Sequence, residues 1–290
     1  MSNGDSTGED SSFRSADKQG LTPEDERAFR KIIYDYYKKH RRDFPWRKQR
    51  SPYRILVSEI MLQQTQTQRV FEKYGAFIRH FPDFLSLKQS SLQEVLMQWQ
   101  GLGYNRRAIA LKSCAEAVIQ EYGGSLPSSV DELIKLPGIG KATASSIRAF
   151  AFNKPAVFIE TNIRAVFIHF FFRERERVSD ADIMPLVEKT LDDSNPREWY
   201  YALMDYGVML KKNFQNPARK SIHHKKQSRF EGSNRQLRGR ILKALLIHPD
   251  MTEKDLTKKI EADSERLGEN LLRMEKEGLI QRKRGRLSIA

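Results

Sequence analysis

Glu59 lies in Val-Ser-Glu-Ile-Met-Leu-Gln-Gln-Thr (57–65), a carboxylate set among apolar neighbours. That pattern predicts a helix facing a core, which would place the carboxyl in a partly dry cleft. Desolvation disfavours the charged form, so such a group holds a proton near neutral pH and suits general-acid work. A buried structural ion pair is the alternative. The other arrangement with chemistry in it is Leu-Pro-Gly-Ile-Gly-Lys-Ala-Thr-Ala-Ser-Ser-Ile (136–147). Two helices joined through Pro137, Gly138, Ile139 and Gly140 form a tight hairpin, and glycine lets a phosphate come close to the backbone. Amides at the start of the next helix, from Lys141 to Thr143, then hold the phosphate without reading a base. An ordinary inter-helix turn is the alternative.

Helices must position these groups. Pro23-Glu24-Asp25-Glu26 reads as the acidic first turn of a helix, followed by Phe29, Ile32, Ile33, Tyr36 and Tyr37 at helical spacing. A turn containing Pro45 and Pro52 precedes the helix of Glu59. Further helices are predicted in 67–81, 91–100, 105–122 and 129–136, each closed by Gly, Pro or a polar cluster. Strand-like alternation is scarce, so the main domain, residues 24–212, is predicted to be all-α. Residues 213–233 are polar and basic without apolar period and read as a linker or a nucleic-acid-contacting arm. His223 and His224 within it lack Cys or acidic neighbours and read as solvated. Residues 234–290 read as three short helices and two strands around Arg284-Gly285, which predicts a small winged-helix domain. By analogy its third helix would enter a DNA groove and its hairpin would follow a backbone, although such modules also dock proteins.

Composition narrows the partners. The 290 residues carry a net charge of +14, which favours a polyanion. From Lys211 onward there are 21 Lys and Arg against 10 Asp and Glu. The one cysteine, Cys114, cannot make a disulfide framework, a four-Cys zinc site or a four-Cys iron–sulfur cluster, and reads as a small buried apolar residue. No metal or cofactor is expected. Residues 1–23 are rich in Ser, Gly and Asp and read as a disordered tail, not a signal peptide. No run approaches a membrane span, and a cytoplasmic, nucleoid-associated monomer is expected.

Taken in order, Phe-Pro-Trp-Arg (44–47), residues 51–67, Gly-Leu-Gly-Tyr-Asn-Arg-Arg-Ala (101–108), the hairpin 136–144 and Ile-Glu-Thr-Asn-Ile-Arg-Ala-Val (159–166) resemble the adenine DNA glycosylase family. The resemblance covers about residues 30–212 and implies the helix-hairpin-helix DNA glycosylase fold. It implies base excision from double-stranded DNA, with Glu59 protonating the flipped base so that it departs neutral. It puts a second carboxylate at Glu160, to steady the oxocarbenium-like sugar, with Asn162 as a supporting polar group. Gln63 or Gln64 would enter the duplex, where an amide offers a base edge both donor and acceptor. Tyr104 would wedge into the stack, and Gly138, Gly140, Lys141 and Thr143 would bind backbone. For Gln63, Gln64 and Tyr104, plain packing is the alternative.

The chain departs from that family in several places. Glu160 stands where the family carries Asp, one methylene shorter. Ala142 stands where bifunctional relatives carry a Schiff-base lysine, so a monofunctional enzyme is expected; adjacent Lys141 points about 100° away on a helix. The four cluster cysteines are absent, and a predicted winged helix stands where those relatives end in a Nudix-like domain. The expected activity is excision of adenine opposite guanine or 8-oxoguanine. The alternatives are a thymine or uracil mismatch glycosylase, or a DNA-binding protein without catalysis.

Overall fold

A computed structural model describes residues 21–224 and 227–290, so most of the tail and part of the 213–233 segment lie outside the described residues. The architecture is mainly helical, and the chain folds as two units, each assembled from two separate stretches.

The first unit holds residues 21–44 and 141–224. Its opening helix α1 (Pro23–His40) starts as its sequence demands. Thr22 Oγ1 accepts from the Asp25 amide at 3.2 Å and the Asp25 carboxylate accepts from the Thr22 amide at 2.9 Å. Such a capping box satisfies amides that the first turn leaves without partners. Phe29, Ile33 and Tyr37, spaced four apart, form its buried face. The remaining helices are α8 (Lys141–Phe152), α9 (Thr161–Phe171), α10 (Asp180–Lys189) and α11 (Pro196–Asn213). Phe29 packs against Phe167, Phe170 and Phe171 of α9 and Trp199 of α11, with ring centroids 5.1 to 5.8 Å apart. Rings at such angles and distances add attraction beyond simple burial. The stretch after α11, predicted as a polar connector, is held in part. Pro217–Lys220 forms a 3-10 turn, Ala218 is buried, and Ile222 donates to the Val178 carbonyl at 3.0 Å.

The second unit holds residues 45–140 and 227–290. After a 3-10 turn at Pro45–Lys48 come α2 (Pro52–Leu62), α3 (Thr67–His80), α4 (Phe84–Gln89), α5 (Leu92–Trp99), α6 (Arg106–Glu121) and α7 (Val130–Lys135). Pro52, predicted within a turn, is the first residue of α2 behind the Ser51 cap, where the missing N–H costs nothing. Cys114 of α6 is fully buried, and burial pushes its thiol up to about 12, consistent with a packing residue. The C-terminal stretch forms α12 (Asn234–Ile247), β1 (Met251–Thr252), α13 (Glu253–Ile260), α14 (Ser264–Lys276), β2 (Ile280–Lys283) and β3 (Arg286–Ile289). The sheet is antiparallel in the order β1-β3-β2, with Arg282 opposite Leu287 in its register. Arg284 and Gly285 both take positive φ, 51° and 75°, as a two-residue hairpin turn between right-twisted strands requires. Leu237, Ile241 and Leu245 of α12 are buried, as are Leu256, Leu267 and Leu287 from the elements that follow. No helix of the described residues is long and apolar enough to cross a membrane.

Candidate active site and nucleic-acid interface

In the second unit the site is built on α2. Seven of its eleven residues are buried, including Ile55, Leu56, Val57 and Ile60, so this helix is enclosed on nearly every side. Glu59 is half-buried on it, one turn before its end. That end carries outward-pointing carbonyls and the negative pole of the helix dipole. Arg107 of α6 answers both. Its Nη1 donates to the carbonyls of Ile60, Met61 and Gln63 at 2.8, 2.8 and 2.6 Å. Its Nη2 reaches Thr65 Oγ1 at 2.8 Å and the Gly103 carbonyl at 3.0 Å. Burial lowers this guanidinium to about 10, which leaves it charged at neutral pH. One side chain thus fixes the start of the Gln63–Gln64 turn to the 101–105 loop.

Gln64 is exposed and sits at φ 53°, and Tyr104 sits at φ 48°, a left-handed backbone that costs energy for residues other than glycine. Gln63 Nε2 donates to the Gly138 carbonyl at 3.3 Å. Gly138 itself has φ 78°, and a Cβ there would lie 2.7 Å from the Ala110 Cβ, so this hairpin position accepts only glycine. Gln63, Gln64, Tyr104 and Gly138 all line one cavity of about 1010 Å³. Its opposite wall comes from the C-terminal stretch. Arg235 of α12 donates to Tyr104 Oη at 3.3 Å, and Gln227 donates to the same oxygen. Glu59 is not part of that wall, and Gly140 is exposed at the hairpin's end.

In the first unit, Glu160 caps α9. Its Oε1 accepts from the amides of Asn162 and Ile163 at 2.8 and 3.0 Å, and its Oε2 accepts from Asn162 Nδ2 at 3.1 Å. Burial raises the Glu160 carboxyl above the usual glutamate range. The Ile163 amide, the charge of Lys211 and the two Asn162 donors hold it back. Asn162 Oδ1 is buried and has no hydrogen-bond partner among the described residues. Helix α11 reaches this place through Gly207, where an added Cβ would lie 2.3 Å from the Asn162 carbonyl oxygen and 2.7 Å from its Cβ. Lys211, one turn along α11, is lowered by burial and partly restored by the charge of Glu160. Lys141 is exposed and Thr143 half-buried on the first turn of α8. No cluster of metal-ligating residues occurs among the described residues.

Residues 57–189 match the HhH-GPD superfamily of base excision DNA repair proteins. That stretch belongs to this superfamily. An adenine DNA glycosylase of Buchnera aphidicola subsp. Baizongia pistaciae is 36% identical over 186 residues, 63% of this chain and 52% of that protein. The adenine DNA glycosylase of Rattus norvegicus is 32% identical over 245 residues, 78% of this chain and 45% of that protein. The chain spans about half the length of the curated relatives it matches. A thermostable thymine-DNA glycosylase has a similar structure, with TM-score 0.56 and 28% identity over 63% of this chain and 86% of that one. A trapped endonuclease III–DNA covalent intermediate shares the fold, with TM-score 0.52 and 22% identity over 66% and 86%.

Five contributing residues are not legible in the sequence. Arg107 stands inside the quoted 101–108 motif, but nothing in a linear pattern says that its guanidinium reaches back to the end of another helix. Gly207 offered a signal, since a glycine inside a helical run usually has a packing reason. Lys211, four residues further, shares its helix face. Arg235 and Gln227 belong in sequence to a separate module and its linker, and nothing local brings them to Tyr104.

Proposed function

We propose that the protein is a monofunctional DNA base-excision glycosylase that hydrolyses the N-glycosidic bond of adenine opposite guanine or 8-oxoguanine. What carries the reading is the superfamily match over 57–189, a stretch that contains Glu59, the hairpin and Glu160. The similarity to adenine DNA glycosylases adds the substrate class.

In this reading Glu59 gives its proton to the flipped base, and the C1′–N bond breaks with its electron pair going to the base. The sugar is left as an oxocarbenium-like cation. Glu160, with both oxygens held by three donors, presents its negative charge to that cation from a fixed place. Water adds at C1′ and gives its proton to the Glu59 carboxylate, which restores the acid. Ala142 has no amine to form an imine, so the strand stays intact. Gln63, Gln64 and Tyr104 occupy the gap in the stack, and Gly138, Gly140, Lys141 and Thr143 hold backbone phosphate. Residues 24–212 act as the catalytic domain, 213–233 as its connector and 234–290 as a winged helix. A monomer at the cytoplasmic nucleoid goes with this activity.

Removal of thymine or uracil opposite guanine is the second reading, favoured by the structural similarity to a thymine-DNA glycosylase. One panel separates them: duplexes carrying A:G, A:8-oxoguanine, T:G and U:G, incubated with enzyme and then treated with alkali to reveal abasic sites. Abasic sites in the adenine strands alone support the proposal, and sites in the pyrimidine strands alone replace it. Binding without any abasic site leaves a DNA-binding protein without catalysis.

A further inference from the structure

The cavity beside Tyr104 has a one-sided chemistry. Six cations line it, Arg69, Arg106, Arg107, Arg235, Arg238 and Lys243, and no Asp or Glu lines it among the described residues. A chain with 37 acidic residues has kept them off this surface. Three of the six are engaged internally: Arg107 serves the end of α2, Arg238 pairs with Glu277, and Arg235 donates to the Ser228 carbonyl at 2.6 Å and to Tyr104 Oη. Arg69, Arg106, Arg235 and Lys243 have no carboxylate partner among the described residues. Arg107 and Arg235 stand 5.4 and 5.9 Å from the centre of the Tyr104 ring, so an aromatic face and positive charge occur together. The volume, about 1010 Å³, lies at the top of the ordinary range for ligand sites.

The C-terminal stretch differs in charge from one helix to the next. Helix α12 carries Arg235, Arg238, Arg240 and Lys243 with no acidic residue. Helix α14 sets Arg266, Arg273 and Lys276 against Glu265, Glu269 and Glu275 and is balanced. In the hairpin, Arg282 is bound by Glu253 and Glu275, while Lys283 and Arg284 are exposed at the turn. Of the helices in this stretch, α12 is the one that carries cations alone, and its Arg235, Arg238 and Lys243 line the cavity with Tyr104.

We propose that this cavity is a cleft for a DNA strand, with Arg235 and Lys243 of α12 facing Arg69 and Arg106 across it on the phosphates. The inference rests on the reading of the protein as one that acts on DNA, and it makes the C-terminal stretch part of the DNA site through its first helix. A strand there lies against Tyr104, Gln63 and Gln64, and the C-terminal module covers the wedge.

Its test is the salt dependence of affinity, measured by anisotropy on a duplex with a tetrahydrofuran abasic analogue opposite guanine. Each phosphate contact contributes about 0.9 to the slope of log affinity against log salt. Arg69→Gln with Lys243→Gln removes two side chains that hold nothing else in place, and the slope is expected to fall by about 1.8, with affinity down about tenfold at 0.15 M salt. Lys283→Gln with Arg284→Gln, on the hairpin, is expected to leave both within twofold of wild type. Equal retention by the two double variants, or loss confined to the hairpin pair, overturns the cleft. Wild type that binds and excises a base while Arg69→Gln/Lys243→Gln keeps its slope sinks this inference alone. Weakened binding by that variant in a protein that releases no base keeps the cleft and sinks the glycosylase reading.

Discussion

Around Glu160 the polar contacts lie within three residues of chain, and the neighbouring helix is so close that only glycine fits. Around Tyr104 the space is open, its walls come from segments more than a hundred residues apart, and its charges are of one sign. The first region holds a half-buried carboxylate in a closely packed place, where its energetics follow burial and a few short hydrogen bonds. The second presents cations to solvent, where each adds a modest, salt-dependent increment. A reaction centre needs fixed geometry, and a polyanion interface needs many interchangeable contacts. Under the proposed function the two regions divide along that line.

The largest expected effect is at the proposed acid. Glu59→Gln keeps the shape and loses the proton, and single-turnover base release should fall by about 10²- to 10⁴-fold with DNA affinity almost unchanged. A rate within tenfold of wild type would remove Glu59 from that role. Next comes the staple of the open region. Arg107→Met strands the carbonyls of Ile60, Met61 and Gln63, and a loss of about 2–4 kcal/mol is expected in urea unfolding. A loss below 0.5 kcal/mol, on the order of a plain surface substitution, would mean those contacts contribute little.

Gly207→Ala tests the filled region. With 2.3 Å available, α9 and α11 must separate, and a cost of about 1–3 kcal/mol is expected, with base release falling further than the stability loss explains. Unchanged stability and rate would show that the close approach gives way freely.

The smallest effect is a displaced pH limb. Burial raises the Glu160 carboxyl, so a rate that needs its anion falls as pH drops through a value above the ordinary glutamate range. Lys211 holds that value down, so Lys211→Gln should move the limb to higher pH, and Glu160→Gln should abolish it. The stability sign is opposite. A carboxyl raised by folding adds stability below its unfolded value, and that stability is lost as pH rises through the folded one. A limb in the same place for wild type and Lys211→Gln would separate the lysine from the carboxylate.

The sequence by itself determined the helical class, because apolar spacing and caps such as Thr22 with Asp25, or Ser91 with Glu94, are local. It also determined the hairpin turn at Arg284-Gly285 and the glycine at 138, since positive φ restricts residue choice at a single position. Motif order made the superfamily legible, and with it the candidates Glu59, Glu160 and Tyr104. What each of those touches was decided only in three dimensions. The start of α9 at Glu160 was hidden because a glutamate is an uncommon cap and the helix behind it is apolar almost throughout. Arg107 at the end of α2, Gly207 against Asn162, and Arg235 over Tyr104 each join residues 44 to 131 positions apart. No periodicity records such a pairing, because a guanidinium finds its carbonyls, and a glycine its neighbour, only after the helices that carry them have packed.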